Sequence, residues 1–175
     1  MLKDSHCSTC GTPFATAGWP RTCASCGAVT YRNPLPVAVA LLPVREAGAT
    51  GLVVIRRSIA PSIGRLALPG GFIDFGESWQ QAVVRELAEE TGIAADADEV
   101  TLADALTDVT GGYLLLFGLL PERDADQLPP SAATDETEGR ETLRAPGTLG
   151  FPLHTAAAAR WFAGRYGAVP RTRTV

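Results

Sequence analysis

Three glutamates crowd one face of a predicted helix. Glu86, Glu89 and Glu90 follow the i, i+3, i+4 spacing that places side chains within one sector of about 100° on a helical wheel. Carboxylates at this spacing repel one another, and only Arg85 supplies a positive charge nearby. The helix alone leaves two interpretations open: a solvated acidic face, or a set of oxygen ligands for a divalent cation.

A glycine-containing loop precedes this helix and favours the second interpretation. Gly70, Gly71 and Gly76 allow the backbone to approach a ligand closely. Free backbone carbonyls in such a loop would add oxygen ligands of the kind that Mg²⁺ prefers. The loop lacks the Gly-Lys-Ser/Thr sequence of a P-loop, so we do not expect it to capture a bare phosphate.

All four cysteines of the chain lie within its first 26 residues. They form two Cys-x-x-Cys pairs, each followed by glycine: Cys7 with Cys10, and Cys23 with Cys26. In a reducing compartment this pattern favours one tetrahedral zinc site with four thiolate ligands, and the alternative is two redox-active pairs or two local disulfides. So short a segment buries little apolar surface, so we expect the metal to supply most of its folding free energy. We therefore predict a zinc ribbon over residues 1–34 and a second domain over residues 35–175.

The glycine loop and the acidic helix together resemble the signature of the Nudix hydrolase family. That signature is G-x5-E-x7-R-E-U-x-E-E-x-G-U, where U is a bulky aliphatic residue. All of its fixed positions are matched, at Gly71, Glu77, Arg85, Glu86, Leu87, Glu89, Glu90, Gly92 and Ile93. The resemblance extends in the order of elements from about Pro36 to Tyr166. It implies an α/β fold, a Nudix-type α/β/α sandwich with a mixed sheet.

The resemblance also implies a function, which is Mg²⁺-dependent hydrolysis of the pyrophosphate bond in a nucleoside diphosphate linked to another moiety. Mn²⁺ is an alternative cation. The implied metal ligands are the carbonyl of Gly71 and the carboxylates of Glu86, Glu89 and Glu90. Arg85 would orient a glutamate of the signature, with Glu77 as its ionic or metal-linked partner. The charges agree with this, because two Mg²⁺ ions nearly cancel three glutamates and the roughly two negative charges of a diphosphate bridge.

The general base and the substrate contacts are less defined. Which carboxylate deprotonates water varies within the family, and Glu86, Glu136 and Glu138 are the candidates here. Arg56 and Arg57 end a predicted strand and point to opposite faces, so one of them could reach the phosphates. We take as candidate substrate contacts Arg56, Phe72 and Glu138. The aromatic candidates for stacking on a base are Phe72, Phe75, Tyr113 and Phe117.

A four-cysteine ribbon ahead of such a domain resembles the family branch that includes NADH pyrophosphatases and some FAD or ADP-ribose pyrophosphatases. The NADH pyrophosphatases carry a Ser-Gln-Pro-Trp-type motif after the signature, where this chain has Thr110-Gly111-Gly112-Tyr113-Leu114. We therefore expect a substrate of dinucleotide or ADP-ribose type without favouring NADH. The alternatives are a housecleaning nucleoside triphosphate pyrophosphatase and a non-catalytic nucleotide-sensing module.

The elements that must position these residues follow from apolar patterning. The run from Val37 to Val44 predicts a buried strand, and Gly51 to Arg57 predicts its hairpin partner. Capping signals predict the acidic helix over residues 78–91, ended by Gly92. Further strands are predicted over residues 100–109, 113–120 and 138–144, and a last helix over residues 155–166. His154, at the start of that helix, is expected to cap it or to face solvent.

The composition excludes several other classes of function. The 175 residues carry a net charge of −4, and only Arg21 and Arg32 are basic between Cys7 and Pro34, so nucleic acid is not an expected partner. No apolar run reaches the roughly 20 residues of a membrane span, and the first residues lack a hydrophobic signal core. We expect a cytoplasmic protein whose partner is a small nucleotide, and family analogy allows a homodimer.

Overall fold

The computed structural model of the protein describes residues 4–15 and 17–167. The chain divides into two compact units, the first ending at Pro34 and the second beginning at Leu35. The outer ends of the two predicted domains, residues 1–3 and 168–175, lie outside the described residues. In the part of the chain that is described, no helix combines the length and the apolar content needed to cross a membrane.

The first unit is built on one antiparallel hairpin. Its strands are β1 (Arg21–Thr22) and β2 (Val29–Thr30), and they pair directly across the second Cys-x-x-Cys turn. Arg21 lies over the ring of Trp19, with 4.1 Å between its guanidinium carbon and the ring centroid. A cation–π contact of this kind contributes little stability, which is consistent with a segment that depends on its cysteines.

The second unit contains two mixed sheets. In chain order its strands are β3 (Leu35–Leu41), β4 (Pro43–Glu46), β5 (Ala49–Arg57), β6 (Leu66–Ala67), β7 (Gly70–Phe72), β8 (Thr101–Thr107), β9 (Tyr113–Leu119), β10 (Arg123–Asp124) and β11 (Thr137–Leu143). One sheet has the order β7-β3-β9-β8, in which β3 and β9 are parallel. The other has the order β10-β4-β5-β11, with β6 on β5, and here β10 and β4 are parallel. The helices are α1 (Trp79–Thr91) and α2 (Pro152–Phe162), and short 3-10 turns span Ala97–Glu99 and Ala125–Gln127.

Strand β3 is buried on both faces, which explains the continuous apolar run in the sequence. Ala38 and Ala40 pack in one core with Val83 and Leu87 of α1. Residues on the other face of β3, such as Val39, pack in a second core with alanines of α2. The sheet layers therefore lie between the two helices, which confirms the predicted α/β class with mixed strand pairing.

Two expectations about element bounds are corrected. The single strand predicted from Val37 to Val44 is divided between β3 and β4, which belong to different sheets; Pro43 starts β4 and has no backbone N–H with which to continue a ladder. Helix α2 begins at Pro152 rather than Thr155, because proline suits the first helical turn. The helix ends at Phe162 rather than near Tyr166. Gly164, just after this end, adopts a left-handed conformation, as glycines that follow helices often do.

Candidate active site

Two adjacent glycines form the floor of the site. Gly70 and Gly71 belong to β7, immediately before the loop that leads to α1. A Cβ atom on Gly70 would lie 2.4 Å from the carbonyl oxygen of Ala38, and one on Gly71 would lie 2.3 Å from Oε1 of Glu86. Only glycine therefore allows β7 to lie this close to β3 and to the carboxylate of Glu86.

Helix α1 presents the glutamates to this floor. Its N-terminus has the predicted capping box, with Ser78 accepting from the backbone N–H of Gln81 and the Gln81 side chain accepting from the N–H of Ser78. Gly92 ends the helix in the left-handed conformation, as its sequence position predicts. These local signals fix where the helix starts and stops, and hence which glutamates face β7.

The three glutamates differ in their surroundings. Glu90 is only 3 % exposed, and its Oε2 accepts a hydrogen bond of 2.9 Å from the N–H of Gly70. Glu86 is partly buried against Gly71, whereas the side chain of Glu89 is 59 % exposed. The three glutamates share one face of the helix, as the helical wheel indicates, but their exposure to solvent increases from Glu90 through Glu86 to Glu89.

Burial raises the pKa values of the two inner carboxyls. Loss of hydration and, to a lesser degree, the negative charge of Glu86 raise the pKa of Glu90 to about 8, against the lowering effect of the Gly70 N–H. Burial also raises the pKa of Glu86, although Arg85 opposes this. Glu136 adds a further negative charge that acts on both groups. Ionising these carboxyls is thus unfavourable where water solvates them poorly, and a divalent cation would offset that cost.

Arg85 is the central cation of the site. Its Nε and Nη2 donate to the two oxygens of Glu77, at 3.1 and 2.7 Å. Its Nη1 donates to Glu86 Oε1 at 2.8 Å and to Glu89 Oε2 at 3.1 Å, and its Nη2 also donates to the carbonyl of Phe72. This fork of bonds fixes Glu77 and Glu86 relative to the start of α1.

The donor set fits a hard divalent cation in chemical type. The three carboxylates and the backbone of Gly71 lie at the junction of β7 and α1, and Mg²⁺ prefers oxygen ligands. Gly71 leaves room for Glu86 that no other residue would leave. Over residues 4–15 and 17–167, only the cysteines form a group of three or more ligand atoms within 4.8 Å of one another. The carboxylate oxygens of the site are therefore farther apart than the ligands of one bound ion would be. Arg85 donates to both Glu86 and Glu89.

The predicted substrate contacts separate into two groups. Arg56 is occupied elsewhere: its Nε and Nη2 donate to Glu141 at 2.9 and 2.7 Å, and its Nη1 donates to the carbonyl of Gly64. Arg57, which we did not select, is buried and lies close enough to Glu90 for its charge to lower the pKa of that carboxyl. It pairs in register with Thr137, whose hydroxyl donates to the carbonyl of Glu90. Alternation along β5 indicated that the two arginines diverge but not which one faces the site.

Two aromatic residues lie on either side of β3. Phe72 on β7 is 53 % exposed, and Tyr113 on β9 is also exposed, with 6.2 Å between the ring centroids. Phe75 is fully exposed, whereas Phe117 is entirely buried in the core and is therefore not available for stacking on a base. Glu138, on β11, is exposed, and the carboxylate whose charge acts on Glu86 and Glu90 is that of Glu136.

The four cysteines of the first unit converge as their spacing predicts. All four Sγ atoms lie within 4.8 Å of one another, with 3.8 Å from Cys7 to Cys26 and 3.6 Å from Cys10 to Cys23. Zn–S bonds of about 2.3 Å in a tetrahedron require sulfur separations of about 3.8 Å, so the cluster has the size of a zinc site. Hydrogen bonding with the side chain and the backbone of Thr12 lowers the pKa of Cys10 to about 6, which favours the thiolate that a metal needs.

The family model described as the NUDIX domain matches residues 34–163, most of the chain. The chain belongs to the Nudix family. Its fold also resembles the crystal structure of a NUDIX hydrolase from Nitrosomonas europaea, with a TM-score of 0.66, 19 % identity and 92 % of each chain covered. The signature helix and the glycines before it lie within the matched residues, and we call their junction the candidate Nudix site.

Two curated relatives are similar over shorter segments. An ADP-ribose pyrophosphatase from Methanocaldococcus jannaschii is 44 % identical over 63 residues, which cover 36 % of this chain and 37 % of the relative. The human mitochondrial NAD(P)H pyrophosphatase NUDT13 is 34 % identical over 98 residues, which cover 54 % of this chain and 26 % of the relative. The matches thus span between a quarter and two fifths of these two relatives.

Proposed function

We propose that this chain is a Mg²⁺-dependent pyrophosphohydrolase that cleaves the phosphoanhydride bond of a nucleoside diphosphate linked to another moiety. The observation that carries the proposal is the placement of Glu86 and Glu90 against Gly70 and Gly71. Acidic groups on a solvated surface would be spread apart and hydrated, whereas these are gathered and partly dehydrated. That arrangement is unfavourable alone and favourable around divalent cations.

The residues that would hold the cations are Gly71, through its carbonyl, and Glu86, Glu89 and Glu90, through their carboxylates. When bound there, divalent ions supply charge neutralisation for the phosphates and a more acidic water. The reaction adds the oxygen of water to one phosphorus and breaks its bond to the bridging oxygen, so that two phosphomonoesters leave.

Residues of the chain would orient the metal ligands and accept the proton of the attacking water. Arg85 keeps Glu77 and Glu86 in fixed orientations through its bonds to both. Of the three candidate bases, we favour Glu86 and Glu136 over the exposed Glu138, because the negative charge of Glu136 acts on Glu86; Arg85 donates to Glu86. General-base catalysis of this kind contributes roughly 10²- to 10⁴-fold, so replacing the base should change the pH profile as well as the rate.

Substrate recognition would use a buried charge and an exposed aromatic pair. The positive charge of Arg57 acts on Glu90, so Arg57 joins Arg56 as a candidate contact for a phosphate oxygen, although its Nε donates to the carbonyl of Pro61. Phe72 and Tyr113 offer exposed faces on which a nucleobase can stack. The names of the two relatives, which act on ADP-ribose and NAD(P)H, support the adenine dinucleotide or ADP-ribose class.

A substrate panel with Mg²⁺ tests the proposal. ADP-ribose, NADH, FAD and the nucleoside triphosphates are incubated with the parent chain, E89Q and the control E46Q. Glu89 and Glu46 are both exposed, so neither change should prevent folding, but only Glu89 belongs to the site. We expect phosphomonoesters from ADP-ribose or a dinucleotide, strongly reduced in E89Q and unchanged in E46Q. Cleavage of triphosphates alone would indicate the housecleaning class, and nucleotide binding without turnover would contradict an enzymatic role.

A further inference from the structure

His154 occupies a position in the second unit that its predicted role does not explain. It lies in the first turn of α2, is only 6 % exposed, and so neither caps the helix nor faces solvent as we expected. Its ring packs between Phe151, at 4.9 Å, and Phe117, at 6.1 Å. A polar ring among aromatic side chains is unfavourable unless a hydrogen bond compensates for the loss of water.

That hydrogen bond comes from the segment that leads into the Nudix site. The backbone N–H of Leu68 donates to Nδ1 of His154 at 3.2 Å. Burial, together with the positive charge of Arg57, lowers the pKa of His154 to about 3. The ring is therefore neutral at physiological pH, with Nδ1 as the acceptor and the proton on Nε2.

Leu68 is the first residue of the four-residue segment from Leu68 to Gly71, which we call the glycine turn. Three elements of the fold hold it: α2 and α1 by one hydrogen bond each, and β3 by a bond to Pro69 together with its antiparallel pairing with Gly70 and Gly71. Helix α2 accepts from Leu68 through His154, strand β3 donates from the N–H of Ala40 to Pro69 at 2.8 Å, and helix α1 accepts from Gly70 through Glu90. Losing the first bond would leave the N–H of Leu68 buried without a partner, and the turn would relax away from α2.

We propose that His154 is a positioning residue of the Nudix site, because it fixes the Leu68 end of the glycine turn and thereby holds Gly70 and Gly71 against Glu90 and Glu86. This inference rests on the proposed function. His154 itself contacts neither the glutamates nor, in our proposal, the substrate. Its effect is transmitted through four residues of backbone, two of which must be glycine for the carboxylates to fit.

The test compares two substitutions of His154 in the full-length, zinc-loaded chain. Leucine keeps the apolar volume and removes the acceptor, whereas asparagine keeps an acceptor two bonds from Cβ, as Nδ1 is. We expect H154L to lower kcat about 10- to 100-fold with little change in KM, and to weaken Mn²⁺ binding to the nucleotide-free protein by a similar factor. H154N should recover most of both. The control is Y166F, which removes the bond from the Tyr166 hydroxyl to Asp104 beyond the other end of α2 and should leave both values unchanged.

Each outcome decides the proposal. A folded H154L with the parent's kcat and Mn²⁺ affinity overturns it, and so does an H154N that is as impaired as H154L, since shape rather than the acceptor would then matter. If H154L does not fold, H154N is compared with H154Q, whose acceptor reaches one bond further; equal Mn²⁺ affinities in those two variants would overturn the proposal. If the parent hydrolyses none of the nucleotides, the proposed function fails, and Mn²⁺ affinity alone decides the role of His154.

Discussion

Gly71→Ala adds a single methyl group where the glycine turn meets α1. The new Cβ would lie 2.3 Å from Oε1 and 2.6 Å from Cδ of Glu86, distances that no stable contact allows. The carboxylate is the end of a flexible side chain and can move away without disturbing the core. Gly71 does not need a left-handed backbone, so alanine is tolerated there conformationally. We therefore expect the free energy of unfolding to stay within about 1 kcal/mol of the parent value.

The expected effect on catalysis is much larger. To reach an ordinary contact of 3.4 Å or more, the Glu86 carboxylate has to move by about 1 Å. A misplacement of about 1 Å in a reacting site lowers rates about 100-fold, so kcat should fall by about that factor. Steady-state hydrolysis measured across a Mg²⁺ titration reports kcat and the Mg²⁺ requirement together, and urea unfolding reports stability.

Gly70→Ala is the matched contrast. Its Cβ would lie 2.4 Å from the carbonyl oxygen of Ala38 and 2.8 Å from Cα of Val39. Both are backbone atoms of a buried strand, which cannot move without disturbing the sheet. This variant should lose about 1 to 3 kcal/mol of stability as well as activity. Gly147→Ala, whose nearest contact would be an ordinary 3.7 Å, should lose neither. A G71A protein with the parent's kcat, or one as unstable as G70A, would refute the reasoning.

Three further predictions concern other parts of the molecule. Arg85→Lys keeps the charge, but a lysine cannot bond both oxygens of Glu77 while also bonding Glu86. We expect kcat to fall at least about tenfold and the free energy of unfolding to fall by about 1 to 3 kcal/mol. Activity equal to the parent's in steady-state assays would contradict this. Burial lowers the pKa of His154 from 6.5 to about 3. Below pH 6.5 the unfolded chain therefore binds a proton at His154 that the folded chain does not, and the free energy of unfolding falls as the pH drops. Between pH 7 and pH 4.5 the parent should lose about 2 to 3 kcal/mol more than H154N in urea unfolding, and equal losses would show that His154 does not titrate in this way. We also expect one zinc ion per chain by elemental analysis, with a zinc-selective chelator abolishing the ordered amide NMR signals up to Pro34; a metal-free first unit with unchanged signals would rule out the zinc site.

The ends of α1 and the two Cys-x-x-Cys turns are local features that were predicted correctly. The capping box at Ser78 and the left-handed Gly92 bracket α1 because both act through neighbouring backbone groups. The two Cys-x-x-Cys turns converge because each glycine after the second cysteine adopts a positive φ and closes its turn, with Gly11 and Gly27 donating to the carbonyls of Cys7 and Cys23. Such features need no knowledge of the rest of the fold.

The features that sequence reasoning missed depend on long-range packing. His154 is buried because Phe117 and Phe151 enclose it, and its partner Leu68 is 86 residues away along the chain. The charge of Arg57 acts on Glu90, and β11 pairs with β5 in a register that places Thr137 beside both residues. Patterning along one strand gives alternation but not the identity of the face, so neither residue could have been assigned before the pairing was known.

The central claim is that the Nudix signature of this chain forms a divalent-metal site for cleaving a phosphoanhydride. Phosphorus NMR of ADP-ribose incubated with the chain tests it most directly, with and without Mg²⁺. We predict that the two diphosphate resonances are replaced by the two phosphomonoester resonances of AMP and ribose 5-phosphate only when Mg²⁺ is present, and that E89Q strongly slows this change. Diphosphate resonances that persist with Mg²⁺ for ADP-ribose and for every dinucleotide of the panel, or that disappear equally without it, would contradict the claim.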